Sequence, residues 1–410
     1  MAPYIFIMDK LKILVVPAND GGCAYYRALA PFKKLEELYS NILDIRFDKN
    51  PLGIIEEGDK AGQWEDDWQF KNIKWADVVF CHNICNWGGP YTGRIIGKAK
   101  EFGKFVHYDT DDLLTELYEG HRLKTVYEEQ GLSEMTEFYY ANSDVVTVTQ
   151  VKFAERVKKY CGGVLAIIKN AIDYRLDCWN VPKMPPPRKR FVRIGWAGGI
   201  HHEEDVKEFA GIPHFVNQRV GRENISWDFY GKPPIPPGEE PDWQHDVWKN
   251  YERILMRGFK GARNYNIFNA MPAEHYGSIY SRMDIAIAPL QMNPFNDSKS
   301  EIKVAECGRY SVPLIASDVG CYSETVQNGV TGYLIPPDAP KAEWVRVLTK
   351  VIRDKKHRES MGENLRSVSE LYFDLNKVAI KRIELYRECF KLRGYDELYK
   401  KLENYEQTCN

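Results

Sequence analysis

Short apolar, β-branched runs alternate along this chain with longer stretches whose apolar residues recur at helical spacing. Lys12-Ile-Leu-Val-Val16 reads as a buried strand, and Pro17-Ala-Asn-Asp-Gly-Gly22 breaks it. Tyr25 to Leu38 reads as a helix, with Leu29, Phe32, Leu35 and Leu38 on one face. The alternation predicts further strands over 77–81, 104–108, 144–148 and 164–168, and helices over 91–102 and 152–160. Strands and helices in alternation build a parallel sheet, so the first half is an α/β domain of the doubly wound type.

The stretch 179–190 carries four prolines in twelve residues and reads as a linker. After it the pattern restarts. Strands are predicted at 192–196, 226–230, 284–288, 313–317 and 332–335, with helices at 301–310, 322–328 and from Ala342 to the end. The expected organisation is a first domain over 1–175, a linker over 176–190 and a second domain over 191–384. Ligands of such sheets bind at the carboxyl ends of strands, and a cleft between two domains is the expected site.

Composition narrows the function classes. Among 410 residues, 56 Lys and Arg face 58 Asp and Glu, a net charge of −2. That argues against a protein that holds nucleic acid by bulk charge, though a local basic patch remains open. Hydrophobic residues are 44% of the chain, enough for real cores. No run approaches the roughly 20 apolar residues of a membrane span. Residues 1–7 read as an extension before a natural start at Met8, too short and uncharged for a signal peptide. The nine Cys are scattered and odd in number, which fits a reducing cytoplasm. Cys81 and Cys85 lack a second cluster, so no metal site is expected. Aromatic residues reach 13%, and their faces suit sugar rings and bases as well as cores.

The densest chemistry lies in Pro294-Phe-Asn-Asp-Ser-Lys-Ser-Glu-Ile-Lys-Val-Ala-Glu306, which follows a buried strand and opens a helix. A helix amino terminus offers free N–H groups and a positive dipole end, which suits phosphate. Lys299 and Lys303 add cations, Ser298 and Ser300 add hydroxyls, and Glu306 is placed to accept hydrogen bonds from ribose. Together they describe a diphosphate-plus-ribose cradle. A capped surface helix with solvated lysines is the plainer reading of the same residues.

Beyond it follow Gly308, Ser311-Val-Pro-Leu-Ile-Ala-Ser-Asp-Val-Gly320 and Asn328-Gly-Val-Thr-Gly-Tyr-Leu-Ile335. In this order the stretch resembles the second half of a GT-B nucleotide-sugar glycosyltransferase, close to retaining family 4 and to a sub-branch common in bacteria and phages. Glu306 matches the second Glu of that family's Glu-x7-Glu signature, and Ser298 stands where the first would be. Other segments are similar too: Gly21-Gly22, Tyr108-Asp-Thr-Asp-Asp-Leu113, Lys169-Asn-Ala-Ile-Asp173 and Ile194-Gly-Trp-Ala-Gly-Gly-Ile-His-His-Glu-Glu-Asp205. The resemblance implies two Rossmann-like domains facing a cleft, with a final helix at about 385–410 crossing back to the first. It implies a retaining hexosyl transfer from a nucleoside-diphosphate sugar, UDP-sugar favoured, with no cofactor. Gly21, Gly22, His202, Lys232, Ser298, Lys299, Ser300 and Glu306 would bind donor. Asp109, Asp111 and Lys303 would be catalytic, the two carboxylates facing the acceptor.

The expected acceptor is a glycan or other hydroxyl compound, without membrane integration. Alternatives are a hydroxymethylated pyrimidine in DNA, or a non-catalytic nucleotide-sugar-binding protein. For Asp109 helix capping competes, and for His202 a surface position. The basic stretches 152–159 and 185–193 read as solvated faces or as a groove for a nucleic-acid or phosphorylated acceptor. Segment 232–262, with Trp243, Trp248 and Tyr251, reads as a long functional connection.

Overall fold

The computed structural model describes residues 9–53, 70–83, 93–188, 190–259 and 263–403. The extension at 1–7 and Cys85 lie outside them. Two compact units emerge, one of Met1–Leu117, Leu123–Ala171 and Leu375–Asn410, the other of Tyr118–Arg122 and Ile172–Asp374.

The first unit holds a six-stranded sheet: β1 Leu11–Val16, β2 Leu43–Phe47, β3 Val78–His82, β4 Phe105–Asp109, β5 Val145–Val148 and β6 Val164–Ile167. All strands are parallel, in the order β2-β1-β3-β4-β5-β6. Every residue of β3, β4 and β5 is buried, because helices cover both faces of a parallel sheet. That explains the largely apolar runs by which these strands are recognised. β2, Leu43-Asp-Ile-Arg-Phe, escaped the pattern because it is an edge strand with polar residues at Asp44 and Arg46.

The helical run after β1 extends from Gly22 to Tyr39, with a π segment over Tyr25–Leu29. Near the carboxyl end of the chain, the helix Leu375–Arg393 sends Ala379, Ile383, Tyr386 and Phe390 into the same core as β1 and β4. The return to the first unit therefore begins at Leu375 rather than at about 385.

The second unit has its own parallel six-stranded sheet: β7 Val192–Ala197, β8 Ile225–Lys232, β9 Tyr265–Asn269, β10 Ile285–Ala288, β11 Leu314–Ser317 and β12 Gly332–Ile335. The order is β12-β11-β10-β7-β8-β9. β9 is an edge strand without a buried run, which hid it from the sequence pattern.

The segment 232–262 is no open connection. It contains a helix, Trp243–Leu255, capped where the Asp242 carboxylate accepts from the Gln244 N–H at 3.0 Å. Val247, Trp248, Tyr251 and Leu255 recur at helical spacing and lie in the core. The Pro-rich stretch also packs as part of this unit. Tyr310 Oη donates to the Cys178 carbonyl at 2.6 Å, Trp179 stacks near Tyr280, and Met184 N–H donates to the Ser281 carbonyl.

Candidate functional site

In the second sheet the strand order reverses between β7 and β10, and their following loops diverge there. Such a switch point, at the carboxyl ends of the strands, is where doubly wound sheets take ligands. The loop after β7 holds Gly198, Gly199, His201 and His202, and the loop after β10 runs from Pro289 to Glu301.

Asp205 ties these loops together. Its carboxylate accepts from the Gln291 N–H and from Asn296 Nδ2, both at 2.8 Å, and bonds His202 Nδ1 at 2.7 Å. Burial pushes the Asp205 carboxyl up, and His202, the Gln291 N–H and Lys299 together outweigh it, so it stays ionised below the ordinary range. Held by Nδ1, His202 keeps Nε2 for another partner, and the Tyr251 hydroxyl fixes its backbone N–H at 3.0 Å. Gly231 has φ of +125°, and a Cβ there would stand 2.0 Å from the Gly198 carbonyl oxygen. Only glycine lets the β8 end approach the β7 loop this closely.

After β10, Pro294 starts a short helical turn whose Asn293 side chain accepts from the Asn296 N–H. The helix Ile302–Arg309 then carries Lys303 and Glu306 one turn apart. Lys303 Nζ lies 3.2 Å from Glu306 Oε2, 3.1 Å from Tyr276 Oη and 3.4 Å from Tyr280 Oη. Tyr280 donates to the same Glu306 oxygen at 2.5 Å. Glu306 is 2% exposed, whereas the Lys303 side chain keeps 19%. Burial pulls the Lys303 ammonium down, and Glu306 together with Tyr276 more than offsets it, leaving the amine firmly charged. Burial holds both tyrosines protonated. The cluster is thus a fixed cation beside a fixed carboxylate, at the start of a helix that follows the switch-point strand.

The remaining expected residues fall differently. Ser298 is fully buried and its hydroxyl donates to the Pro294 carbonyl at 2.9 Å, so it closes the turn rather than facing a donor. Lys299 holds its ammonium 4.5 Å from the centre of the Phe295 ring, and Ser300 is half-buried. Lys232 ends β8, half-buried. Gly21 and Gly22 are exposed, and nothing lies within 4 Å of a Cβ at Gly22.

Asp109 is a correction. Arg27 clamps its two carboxylate oxygens at 2.8 and 2.6 Å, Thr147 donates to it, and both charged side chains are fully buried. Arg27 also reaches the Ile168 carbonyl and Asn170 Oδ1. The pair staples β4 to the first helix and to the chain after β6. No face of Asp109 is left for an acceptor hydroxyl. Asp111 does sit beyond the strand end, where Asn83 Nδ2 donates to it at 3.0 Å and His82 Nε2 lies at 3.4 Å. Among the described residues, Cys23, Asp111 and Asp112 bring a thiol and two carboxylates within 4.8 Å of one another, a grouping a cation could use.

Three partners went unmarked in the sequence. Tyr276 and Tyr280 come from the short helical turns Ala273–Tyr276 and Gly277–Arg282 before β10. Asp205 was visible in the motif but was not singled out. His121 also belongs to this unit: its ring lies 4.7 Å from Phe295 and stacks 5.9 Å from His201. Phe268 stacks 4.6 Å from Tyr230, at the end of β8.

Two doubly wound parallel sheets with a site at the second sheet's switch point define the GT-B fold, and comparison with known proteins agrees. Sucrose-phosphate synthase from Thermosynechococcus elongatus superposes with a TM-score of 0.64 at 13% identity, covering 94% of this chain and all of that one. Anabaena Alr3699/HepE, solved with UDP and glucose, gives 0.58 at 14% identity, covering 93% and all of the other chain. Within that fold, residues 251–368 match the family model of glycosyl transferases group 1, the stretch that carries Tyr276, Tyr280, Lys303 and Glu306. Alpha-D-kanosaminyltransferase from Streptomyces kanamyceticus is 26% identical over 104 residues, 25% of this chain. The chain spans about a quarter of that relative's length, 27%. Among the described residues no helix is long and apolar enough to cross a membrane.

Proposed function

We propose that this protein is a glycosyltransferase that moves a hexose from a nucleoside-diphosphate sugar, UDP-glucose first among candidates, to a carbohydrate hydroxyl with retention of configuration. The observation that carries the reading is the Lys303–Glu306 pair beneath Tyr276 and Tyr280 at the head of the helix Ile302–Arg309. Its support is the group 1 match over those residues and a GT-B relative solved with UDP and glucose.

In this reading Glu306 accepts the ribose hydroxyls. Lys303 and the first N–H groups of the helix meet the diphosphate, with Lys299 and Ser300 beside them. The bond between the sugar's C1 and the phosphate oxygen breaks with its electron pair leaving on the diphosphate. The acceptor oxygen bonds C1 on the same face, and the departing phosphate oxygen takes the acceptor proton. Fixed positive charge where that negative charge develops lowers the barrier without reorganisation. His202, oriented by Asp205, contacts the sugar or phosphate through Nε2. Lys232 and the Gly21-Gly22 loop are further donor contacts, and Asp111 is the carboxylate offered to the acceptor. The chemistry needs no cofactor.

The test is incubation with a panel of nucleotide sugars and saccharide acceptors, with products read by mass and the new anomeric centre by NMR. Lys303→Ala is expected to lower turnover by orders of magnitude with the fold intact. Wild-type turnover in that variant would remove the assignment, and an inverted product would remove the retaining step.

A further inference from the structure

The pole of the second unit opposite the switch point holds a cavity of about 930 Å³. Its floor is the amino ends of strands: Arg190 and Phe191 precede β7, Asp284 precedes β10 and Pro313 precedes β11. The Pro-rich segment at 183–186 forms one wall, and the junction between the helices Lys341–Arg353 and Lys355–Tyr372 forms another. The volume lies within the range of about 300–1,000 Å³ that small-molecule sites occupy.

The charge of this cavity is one-sided. Lys183, Arg190, Arg353, Lys355 and Arg358 line it, against Asp284 and Glu359. Asp284 is already engaged by Arg193, which holds it through Nε at 3.1 Å and through the backbone N–H at 2.9 Å. Glu359 faces Lys355 at 3.5 Å. Lys183, Arg353 and Arg358 meet backbone carbonyls. Lys183 Nζ lies 3.4 Å from the Tyr310 carbonyl, Arg353 donates to the Arg219 carbonyl at 2.6 Å, and Arg358 donates to the Val351 and Ile352 carbonyls at 2.9 Å. Burial pushes Lys183 and Arg358 down; Asp284 opposes this at both, and Arg193 and Arg358 add to the lowering at Lys183. Like charges gathered where water is partly excluded are destabilised until an anion joins them. Met184, Phe191 and Ile352 line the same cavity with apolar surface.

We propose that this cavity is a second ligand site, separate from the donor site, for an organic phosphate: a phosphate chain on the cations and an apolar or ring body against Met184, Phe191 and Ile352. The basic stretch at 185–193 thereby acquires a role that sugar transfer does not give it. The site stands apart from the donor reading, since none of its residues belongs to the Lys303–Glu306 cluster.

Calorimetric titration with ATP and with pyrophosphate tests it, using wild type saturated with UDP-glucose, Lys303→Ala, and the charge reversal Arg353→Glu/Lys355→Glu. Arg353 and Lys355 are exposed helix-end residues, and an unchanged circular dichroism spectrum and melting temperature check the fold. The expected result is one equivalent of ATP bound by both the saturated wild type and Lys303→Ala, and at least tenfold weaker binding by the charge-reversed protein. Pyrophosphate is expected to bind more weakly than ATP. Loss of ATP binding in Lys303→Ala and in the saturated wild type would overturn the proposal by locating ATP at the donor site. Unchanged binding after charge reversal would overturn it as well. Equal affinity for pyrophosphate would overturn the organic part.

Discussion

Replacing Lys303 with Met removes the ammonium that stands 3.2 Å from Glu306 and keeps most of the apolar stem. Glu306 is then a carboxylate, 2% exposed, that retains the Tyr280 hydroxyl but not its cation. Breaking a fully buried pair costs about 3–5 kcal/mol, mainly through the charge left behind. The Lys303 side chain is 19% exposed, so water offsets part of that, and about 2–3 kcal/mol is expected at pH 7. Adding Glu306→Gln removes the stranded charge, so the double variant regains most of the loss while turnover stays abolished. Urea unfolding followed by circular dichroism gives the stabilities, and release of UDP from UDP-glucose gives the activity. A Lys303→Met protein as stable as wild type would refute the buried-pair argument. So would a double variant no more stable than the single one.

Arg27→Met leaves Asp109 fully buried without its clamp, and urea unfolding should show a loss of roughly 3–5 kcal/mol; a change under 1 kcal/mol would deny the staple. Burial pushes the Asp109 carboxyl up, but Arg27 wins and holds it below the ordinary range. The pair's contribution is therefore present above about pH 4 and fades only as pH falls beneath that. His107 and His121 lose stability in the same direction, as pH falls, but starting from a higher pH. Burial lowers them to about 3 and about 4, so they stay neutral in the fold and protonate near 6.5 when unfolded. Unfolding free energy should fall by up to about 1.4 kcal/mol per pH unit for each as pH drops below about 6.5, and stay flat in this respect above it; NMR titration showing either ring charged at pH 6 would contradict this. Gly231→Ala places a Cβ 2.0 Å from the Gly198 oxygen at φ +125° and should cost roughly 1–3 kcal/mol while weakening donor binding. Gly199→Ala, with no atom within 4 Å of its Cβ, is the control, and equal behaviour of the two would count against the close approach.

The buried parallel strands were legible because both faces are covered, so their sequences are largely apolar, without strict alternation. Edge strands β2 and β9 were not, since one flank carries polar residues. The helix Trp243–Leu255 was masked by the prolines before it, although its apolar residues keep helical spacing. At the site, Lys303 and Glu306 were legible from spacing on one helix. Tyr276 and Tyr280 reach them from more than 20 residues away, which no local pattern encodes. Asp109 and Ser298 read as functional because motif position says nothing of burial. A carboxylate at a strand end looks the same in sequence whether it meets solvent or Arg27. Asp205 was legible only as a letter in a motif, because its work is to join two loops that the sheet order brings together.

The most direct test of the donor site is the affinity of UDP-glucose for wild type and for Glu306→Ala, measured by calorimetry on proteins of matched fold. The expected result is one equivalent bound by wild type and at least tenfold weaker binding by the variant, because the ribose loses its charged acceptor. Equal affinity in the two proteins would contradict the placement of the nucleotide on the helix Ile302–Arg309.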